Sequence, residues 1–299
     1  MRIKSILILA AVINLSFSSV YAKEEALQDE SDQQIGDFSL AGYGEKGKKS
    51  WDICGKTADI FDEIVKLKSV IGNLYGVDEN IQLTADRGDF NKKDGKVHLE
   101  QNVIITTSSG AKLCTESLEW DRKAQVVSTE ELVNIERNNM VAAATGARGE
   151  PNLNKVSLEK NVRLDISPAG QSAPEPGASG VKEKIIITCD GPLEIDYEKN
   201  IAVFKNNVKV ERADSVIYSD IMHVYFSRGK DDPIAKAGIT ASSINRIVAK
   251  GNVRVVRGEN VSYSEEAVYT AEDRKIILSG RPRLVIYSTE DLKDASFGN

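Results

Sequence analysis

One stretch of the chain is written twice, and this repeat limits the folds available to it. The segment NNVKVERADSVIYSD, which begins at Asn206, returns about 45 residues later as GNVRVVRGENVSYSE, which begins at Gly251. The copies align without a gap when Asn207 is set against Asn252. Both keep apolar residues at alternate positions, the period of half-buried strands. A fixed period in such a chain indicates stacked hairpin-like strand pairs, which cannot bury their apolar faces alone.

Four asparagines occupy the same place in four similar segments. KVHLEQNVIITT, VSLEKNVRLDI, IAVFKNNVKVER and RIVAKGNVRVVR each hold two short alternating runs around Asn102, Asn161, Asn207 and Asn252, respectively. Because Asn tolerates positive φ, the pattern predicts a turn or bulge where one strand gives way to the next. Short Val-, Ile- and Thr-rich strands with frequent turn signals predict an all-β sandwich, roll or barrel.

The segment TADIFDEIVKLKSVIGNLYG, residues 57–76, is ambiguous. Its apolar residues fit an amphipathic helix almost as well as strands. The β context of the neighbouring segments favours a strand from Val65 onward.

The N-terminus has the composition of an export signal. Arg2 and Lys4 precede an uncharged run over residues 5–22 that ends in small residues. A basic start, a short apolar stretch and a small-residue exit indicate a secretory signal peptide. A retained membrane anchor is the alternative, although the apolar centre is shorter than the roughly 20 residues of a spanning helix. Under either interpretation, the rest of the chain is exported.

Composition predicts six segments. Polar and acidic residues follow the signal, order is expected to begin near Phe38, and a stretch rich in Pro, Gly, Ala and Ser divides the remainder. The segments are a signal peptide or anchor (1–22), a disordered acidic lead-in (23–35), a first β-domain (36–167), a linker (168–180), a second β-domain (181–290) and a flexible tail (291–299).

Charge and residue pairing argue against two functional classes. The net charge is −6 with mixed signs, so the chain lacks the basic character of a nucleic-acid binder. The adjacent carboxylates Glu130/Glu131 and Asp231/Asp232 would point to opposite faces of a strand, which is poor geometry for acid–base catalysis. No serine-centred elbow or phosphate-binding loop occurs. We therefore predict a protein that is not an enzyme and needs no cofactor.

The cysteines leave two alternatives open. Cys54, Cys114 and Cys189 are far apart and odd in number. One disulfide with a leftover thiol and three unpaired thiols both fit an exported chain. His98 and His223 lie at no ligand-like spacing from the cysteines, so no metal site is expected.

Several motifs together resemble one known family. The first half contains FSLAGYGEKGKKSWDI, Ala85-Asp86-x-Gly88, Asn102-Val103 and Gly110-x-x-Leu113-x-Thr115-x-x-Leu118-x-Trp120. The second half contains TCDGPLEIDYEKNIAVFKNNVKV and IVAKGNVRVVRGENVSYSEEAVYTAEDRKIILSGRPRLVI. In this order and spacing, from Phe38 to Ile286, they resemble the periplasmic lipopolysaccharide-transport proteins of the LptC and LptA (OstA-like) β-jellyroll family.

The resemblance implies a fold and a function. The fold would be two consecutive OstA-like β-jellyrolls, half-open V-shaped β-sandwiches, with residues 36–167 LptC-like and residues 181–290 OstA-like. The protein would lie in the periplasm, hold lipopolysaccharide acyl chains in an apolar groove and pass lipopolysaccharide from the inner to the outer membrane. Implied partners are lipopolysaccharide, other jellyroll transport proteins joined edge to edge by strand addition, and an inner-membrane ABC transporter complex.

Alternate apolar positions supply the expected lining of this groove. A one-residue slip in register would turn each of these side chains to the opposite face. The alternative is a non-catalytic structural or adhesive β-scaffold of the cell envelope, in which the same residues form a filled core. The predicted lipid-binding residues are Val103, Ile105, Leu118, Trp120, Leu193, Ile195, Val208, Val210, Met222, Val224, Phe226, Val253, Val255 and Tyr269.

Overall fold

The computed structural model describes residues 33–44, 47–76, 79–137, 140–150, 155–167, 184–227, 244–273 and 275–285. The predicted signal or anchor segment (1–22), the predicted linker (168–180) and the predicted tail (291–299) lie outside the described residues. No helix in this described part of the chain is long and apolar enough to cross a membrane.

The described residues form 17 strands. Most central strands have 10 to 14 residues, longer than the short runs expected from the sequence. The strands are β1 (Gln33–Tyr43), β2 (Lys49–Ile60), β3 (Ile64–Tyr75), β4 (Asn80–Asn91), β5 (Lys96–Thr107), β6 (Lys112–Asp121), β7 (Val126–Arg137), β8 (Met140–Gly149), β9 (Lys155–Ile166), β10 (Ile185–Cys189), β11 (Leu193–Asp196), β12 (Ile201–Arg212), β13 (Ser215–Phe226), β14 (Ile244–Arg257), β15 (Asn260–Thr270), β16 (Lys275–Ser279) and β17 (Arg283–Val285).

All strands belong to one antiparallel sheet in which most strands pair with their neighbours in the chain. β10 and β11 together fill one place between β9 and β12, and β16 and β17 together flank β15. The ends of this order are β1 and the β16–β17 pair. The all-β prediction is confirmed, and the ambiguous segment at Val65 is strand β3. Strand β1 begins at Gln33, five residues before the expected start near Phe38.

The shared place of the four asparagines is a bulge inside a strand. Asn102 has a φ of 53° and Asn252 a φ of 48°, and Asn161 and Asn207 also lie in the left-handed region. β5 runs through Asn102 without ending, while its pairing register shifts between Glu100 and Val103. The prediction of a bulge is therefore confirmed, whereas a turn that separates two short strands is wrong. Pairing resumes beyond the bulge, so each pair of short runs is one long strand, locally bent.

The repeat corresponds to two successive hairpins. The first copy forms β12 and β13, joined at Ala213-Asp214, and the second forms β14 and β15, joined at Gly258-Glu259. β13 pairs with β14, so the two hairpins lie side by side. The predicted stack of strand pairs is confirmed.

The buried side chains form two hydrophobic clusters. The first lies on β2 to β6 and includes Leu99 and Val103. The second lies on β7 to β15 and includes Leu158, Phe204 and others. Leu113 packs against both clusters, so the apolar interior continues from one to the other. β9 pairs with β10 and β11, which follow the predicted linker in the chain. The boundaries given above for the two β-domains remain predictions.

Candidate functional site

An apolar cavity lies inside the first half of the sheet and is called cavity 1. Its volume is about 320 Å³, and its wall is formed by side chains of β1 to β6. This volume is at the lower end of the range of about 300–1,000 Å³ for small-molecule sites. Three charged residues, Asp52, Lys92 and Arg122, are the exceptions in a wall that is otherwise apolar or neutral.

Two tryptophans, Trp51 and Trp120, form part of the wall of cavity 1. Gly42 makes room for one of them, since a Cβ on Gly42 would lie 2.1 Å from Nε1 of Trp51. The Arg122 guanidinium carbon lies 5.1 Å from the Trp51 ring centroid and 5.9 Å from that of Trp120. Within the described residues, the buried Nε1 of Trp120 has no hydrogen-bond acceptor. The cavity is thus apolar, with a cation held among aromatic rings at its border.

Asp52 anchors a polar network beside the same cavity. Asn73 Nδ2 donates to Asp52 Oδ1 at 2.7 Å, while Lys49 Nζ and the Tyr75 hydroxyl donate to Oδ2 at 2.9 and 2.8 Å. These hydrogen bonds, that of Asn73 first, lower the pKa of Asp52 from 3.8 to about 2. The carboxylate is therefore ionised at neutral pH and has its partners within the protein.

A second cavity, called cavity 2, lies where β5 to β9 meet β11. Its volume is about 90 Å³. Leu118, Leu158 and Leu193 supply much of its apolar wall. Arg137, only 9% exposed, also borders it. The two cavities share strand β6, which contributes Trp120 to cavity 1 and Leu118 to cavity 2.

The structure places the predicted lipid-binding residues at the two cavities, in the two clusters and, for Tyr269, at a half-buried position. Trp120 borders cavity 1, and Ile105, Leu118, Leu193 and Ile195 border cavity 2. Val103 is buried in the first cluster, and Tyr269 is half-buried on β15. The others belong to the second cluster or pack against it: Val208, Val210, Met222, Val224, Phe226, Val253 and Val255. Contact with lipid remains a prediction for all of these residues.

Sequence reasoning missed several residues that border the cavities. Trp51, Phe90 and Arg122 border cavity 1, and Arg137 borders cavity 2. A signal for Arg137 was present, since Val133, Ile135 and Arg137 are spaced by two residues and so share one face of β7.

The identical tyrosines of the repeat form a row on the sheet with neighbouring cations. Tyr218 pairs with Arg254, whose guanidinium carbon lies 4.1 Å from the Tyr218 ring centroid. Tyr263 pairs with Arg283 in the same way at 4.9 Å. These residues border an open cleft of about 870 Å³. The repeated tyrosines thus provide cross-strand contacts in the sheet.

The cysteines and histidines do not come together. Cys54, Cys114 and Cys189 are free thiols, and Cys189 is buried. Burial raises the pKa of the Cys189 thiol, and burial lowers the pKa of His223. Among the described residues, no group of three His, Cys, Asp or Glu side chains could hold a metal ion.

A long antiparallel sheet, bent by bulges in its strands around an apolar interior, defines a protein of the β-jellyroll class. Residues 5–166 match the family described as lipopolysaccharide-assembly, LptC-related. Residues 191–298 match the family described as LptA/(LptD N-terminal domain) lipopolysaccharide transport protein. The chain belongs to the LptC-related family, with an OstA-like unit in its second half, and the predicted resemblance is confirmed. It is a lipopolysaccharide-transport protein of the cell envelope. A search of curated proteins found no significant match.

Proposed function

We propose that this protein is a non-catalytic periplasmic carrier that holds lipopolysaccharide acyl chains in its apolar interior. It passes lipopolysaccharide from the inner toward the outer membrane as one segment of a bridge of jellyroll proteins. Its partners are lipopolysaccharide, neighbouring jellyrolls, and an inner-membrane ABC transporter complex at the start of the bridge. Export by the N-terminal segment would bring the chain to the periplasm.

The apolar cavity 1 is the observation that carries this proposal. Ile53, Leu67, Leu83 and Val97 line it from four adjacent strands. Transfer of an acyl chain from water into such a space stabilises the complex by about 0.8 kcal/mol for each buried methylene. A cavity of this kind can hold a lipid without any catalytic group.

The two ends of the strand order, which have no further partner strand among the described residues, support transfer between neighbouring proteins. Ile35 and Leu40 of the edge strand β1 are exposed and also line cavity 1. A strand added to β1 would therefore extend the wall of the cavity into the next protein. At the other end, Ile277 of β16 and Leu284 of β17 are exposed. Long exposed edge strands with apolar side chains promote aggregation unless a partner protein covers them.

Gly72 offers a direct test of cavity 1. It lines the cavity, and a Cβ on it would contact the nearest atoms of Ile53 and Leu83 at 3.8 and 3.9 Å. An alanine therefore fits, and a larger side chain takes space from the cavity. We expect Gly72→Ile to lower the lipopolysaccharide recovered with the purified protein several-fold. The control is Gly36→Ile on β1, where a Cβ would meet no atom within 4 Å.

Two measurements read out this test. Mass spectrometry gives the lipopolysaccharide bound per protein after expression in a lipopolysaccharide-producing host. The chain has two tryptophans, and both line cavity 1, so a brominated acyl chain in the cavity should quench their fluorescence. Quenching in the wild type and the Gly36 variant but not in Gly72→Ile supports the carrier. Equal lipid content in all three proteins, or none in any, argues against it.

A structural scaffold is the second candidate, and the second cluster favours it. Val208, Phe204 and Met222 there are at most 1% exposed and border neither cavity, so that part of the interior is filled by its own side chains. A scaffold would bind no lipid, and it would keep its stability and assembly when cavity 1 is filled by Gly72→Ile. Lipid-free wild-type protein that also fails to take up added lipopolysaccharide would favour this function.

A further inference from the structure

The charges around cavity 2 are of one sign. Three cationic side chains border it, Lys112, Arg137 and Arg148, and the residues that line it include no carboxylate. Lys112 and Arg148 are exposed, whereas Arg137 is buried. The cavity therefore combines an apolar wall with an excess of positive charge, a combination that an amphiphile with an anionic group would match.

Arg137 lacks a counterion in the described structure. Its Nη2 donates to the Ser109 hydroxyl at 2.9 Å, and its guanidinium carbon lies 5.8 Å from the Tyr197 ring centroid. The same Ser109 hydroxyl is hydrogen-bonded to Oε1 of Glu79, so this carboxylate reaches Arg137 only through Ser109. The buried Nε of Arg137 has no hydrogen-bond partner among the described residues.

A buried arginine without a counterion is energetically unfavourable in a protein that has no ligand bound beside it. An arginine side chain stays charged at every accessible pH, so Arg137 cannot relieve its burial by losing a proton. Buried charges in proteins are paired or bind an ion, since leaving one unpaired costs several kcal/mol. A planar guanidinium with a free N–H suits a carboxylate or phosphate oxygen.

We infer that cavity 2 binds the phosphate group of an amphiphile, with Arg137 as the principal donor to the phosphate and the leucines of the wall in contact with the chain. This inference rests on the proposed lipid-carrying function and adds a selectivity to it. Lipid with an anionic group would be retained at cavity 2, and the same lipid without that group would be held by apolar contacts alone.

A purely structural role for Arg137 makes different predictions. A buried charge that only fills space can be replaced by an apolar residue of similar volume without loss of stability. Arg137→Met would then leave ligand selectivity unchanged. If Arg137 binds phosphate, the same variant keeps or gains stability as the lipid-free protein and loses the preference for phosphorylated lipid.

The experiment compares two forms of one ligand on the full chain. Lipopolysaccharide with its phosphates intact and the same material after phosphatase treatment are titrated against wild type, Arg137→Met, Arg137→Lys and Arg87→Met. Arg87 is exposed on β4 and borders neither cavity, so it controls for the loss of a positive charge. Circular dichroism and thermal unfolding check that each variant folds, and Arg137→Lys, which keeps the charge, serves if Arg137→Met does not fold.

We expect wild type and Arg87→Met to bind the phosphorylated form about tenfold more tightly, as one charge-assisted hydrogen bond would provide. Arg137→Met should bind both forms alike, and Arg137→Lys should keep part of the preference. Equal affinity of wild type for both forms would overturn the inference and leave the carrier function standing. Failure of wild type to bind either form would overturn both.

A further arm separates a lipid phosphate from free phosphate. Inorganic phosphate is added to lipid-free wild type and Arg137→Met, and the thermal midpoint is measured. A rise in wild type alone that is abolished by prior lipid loading supports a phosphate site in cavity 2 that the lipid then occupies. A rise that persists in the lipid-loaded protein or in Arg137→Met places free phosphate elsewhere and contradicts the assignment to Arg137.

Discussion

Nδ2 of Asn252 donates a hydrogen bond of 2.9 Å to Oδ2 of Asp220 on the neighbouring strand, and this pairing recurs along the sheet. Asn102 reaches Asp86 at 2.7 Å and Asn207 reaches Asp190 at 2.5 Å in the same way. Each asparagine thus has two roles. It takes up the positive φ of the bulge, and it ties the bulge to the preceding strand or, for Asn207, to the segment between β10 and β11.

Substitution of Asn252 separates these roles. Asn252→Ala loses the hydrogen bond and puts at a φ of 48° a residue that tolerates this conformation less well than asparagine, so we expect it to lower the free energy of unfolding by about 2 kcal/mol. Asn252→Gly keeps the backbone conformation free of strain and should lose less. Urea unfolding followed by circular dichroism measures both. Equal losses in the two variants would show that the positive φ contributes little.

The bulges also show how far the sequence could predict this fold. Asn at one place in four alternating segments indicates a positive φ, because few other residues adopt it readily. The pattern could not decide between a turn and a bulge, since both need the same local backbone. A bulge differs from a turn in that strand pairing resumes beyond it, as it does here between Val253 and Ser264. This pairing involves a residue of another strand, which the local pattern around Asn252 does not contain.

The candidate site was predictable only in part for a related reason. Period-two alternation identifies the buried face of a strand, and residues such as Val208 and Met222 are indeed buried. It does not tell a packed position from one that borders a cavity. That difference depends on the volumes of side chains from several strands, such as the space left by Gly72 between Ile53 and Leu83.

Val224 tests whether the second cluster is packed or open to lipid. It is 2% exposed within that cluster. Val224→Asp would bury an unpaired carboxylate, so we expect the free energy of unfolding to fall by about 3 kcal/mol or more. Ile277→Asp, at a position 62% exposed on β16, should change it by about 0.5 kcal/mol or less. An unchanged urea midpoint for Val224→Asp would mean that water or lipid reaches this position.

The thiols give a test of the cysteine state. Without reductant, three cysteines should react with iodoacetamide in denaturant, because Cys54, Cys114 and Cys189 are free. In the folded protein Cys189 should stay unmodified, since it is buried and burial raises the pKa of its thiol. Peptide mass spectrometry locates the modified residues. Fewer than three labels in denaturant would reveal a disulfide, and rapid labelling of folded Cys189 would contradict its burial.

Asp52 should make the stability of the protein depend on acid pH. Its pKa is lowered from 3.8 to about 2 by the hydrogen bond from Asn73, followed by those from Lys49 and Tyr75. A carboxyl group with a lowered pKa in the folded state stabilises the fold above its unfolded pKa. That contribution is fully present above about pH 4 and is lost as the pH falls toward 2.

The comparison with Asp52→Asn isolates this contribution from those of other carboxyl groups. The amide introduced by this substitution cannot ionise, so the variant should be less stable than wild type at pH 6, and the difference should shrink steadily between about pH 4 and pH 2. Thermal midpoints measured by circular dichroism across this range give the difference directly. A difference that stays constant from pH 6 to pH 2 would mean that the pKa of Asp52 is not lowered in the folded protein.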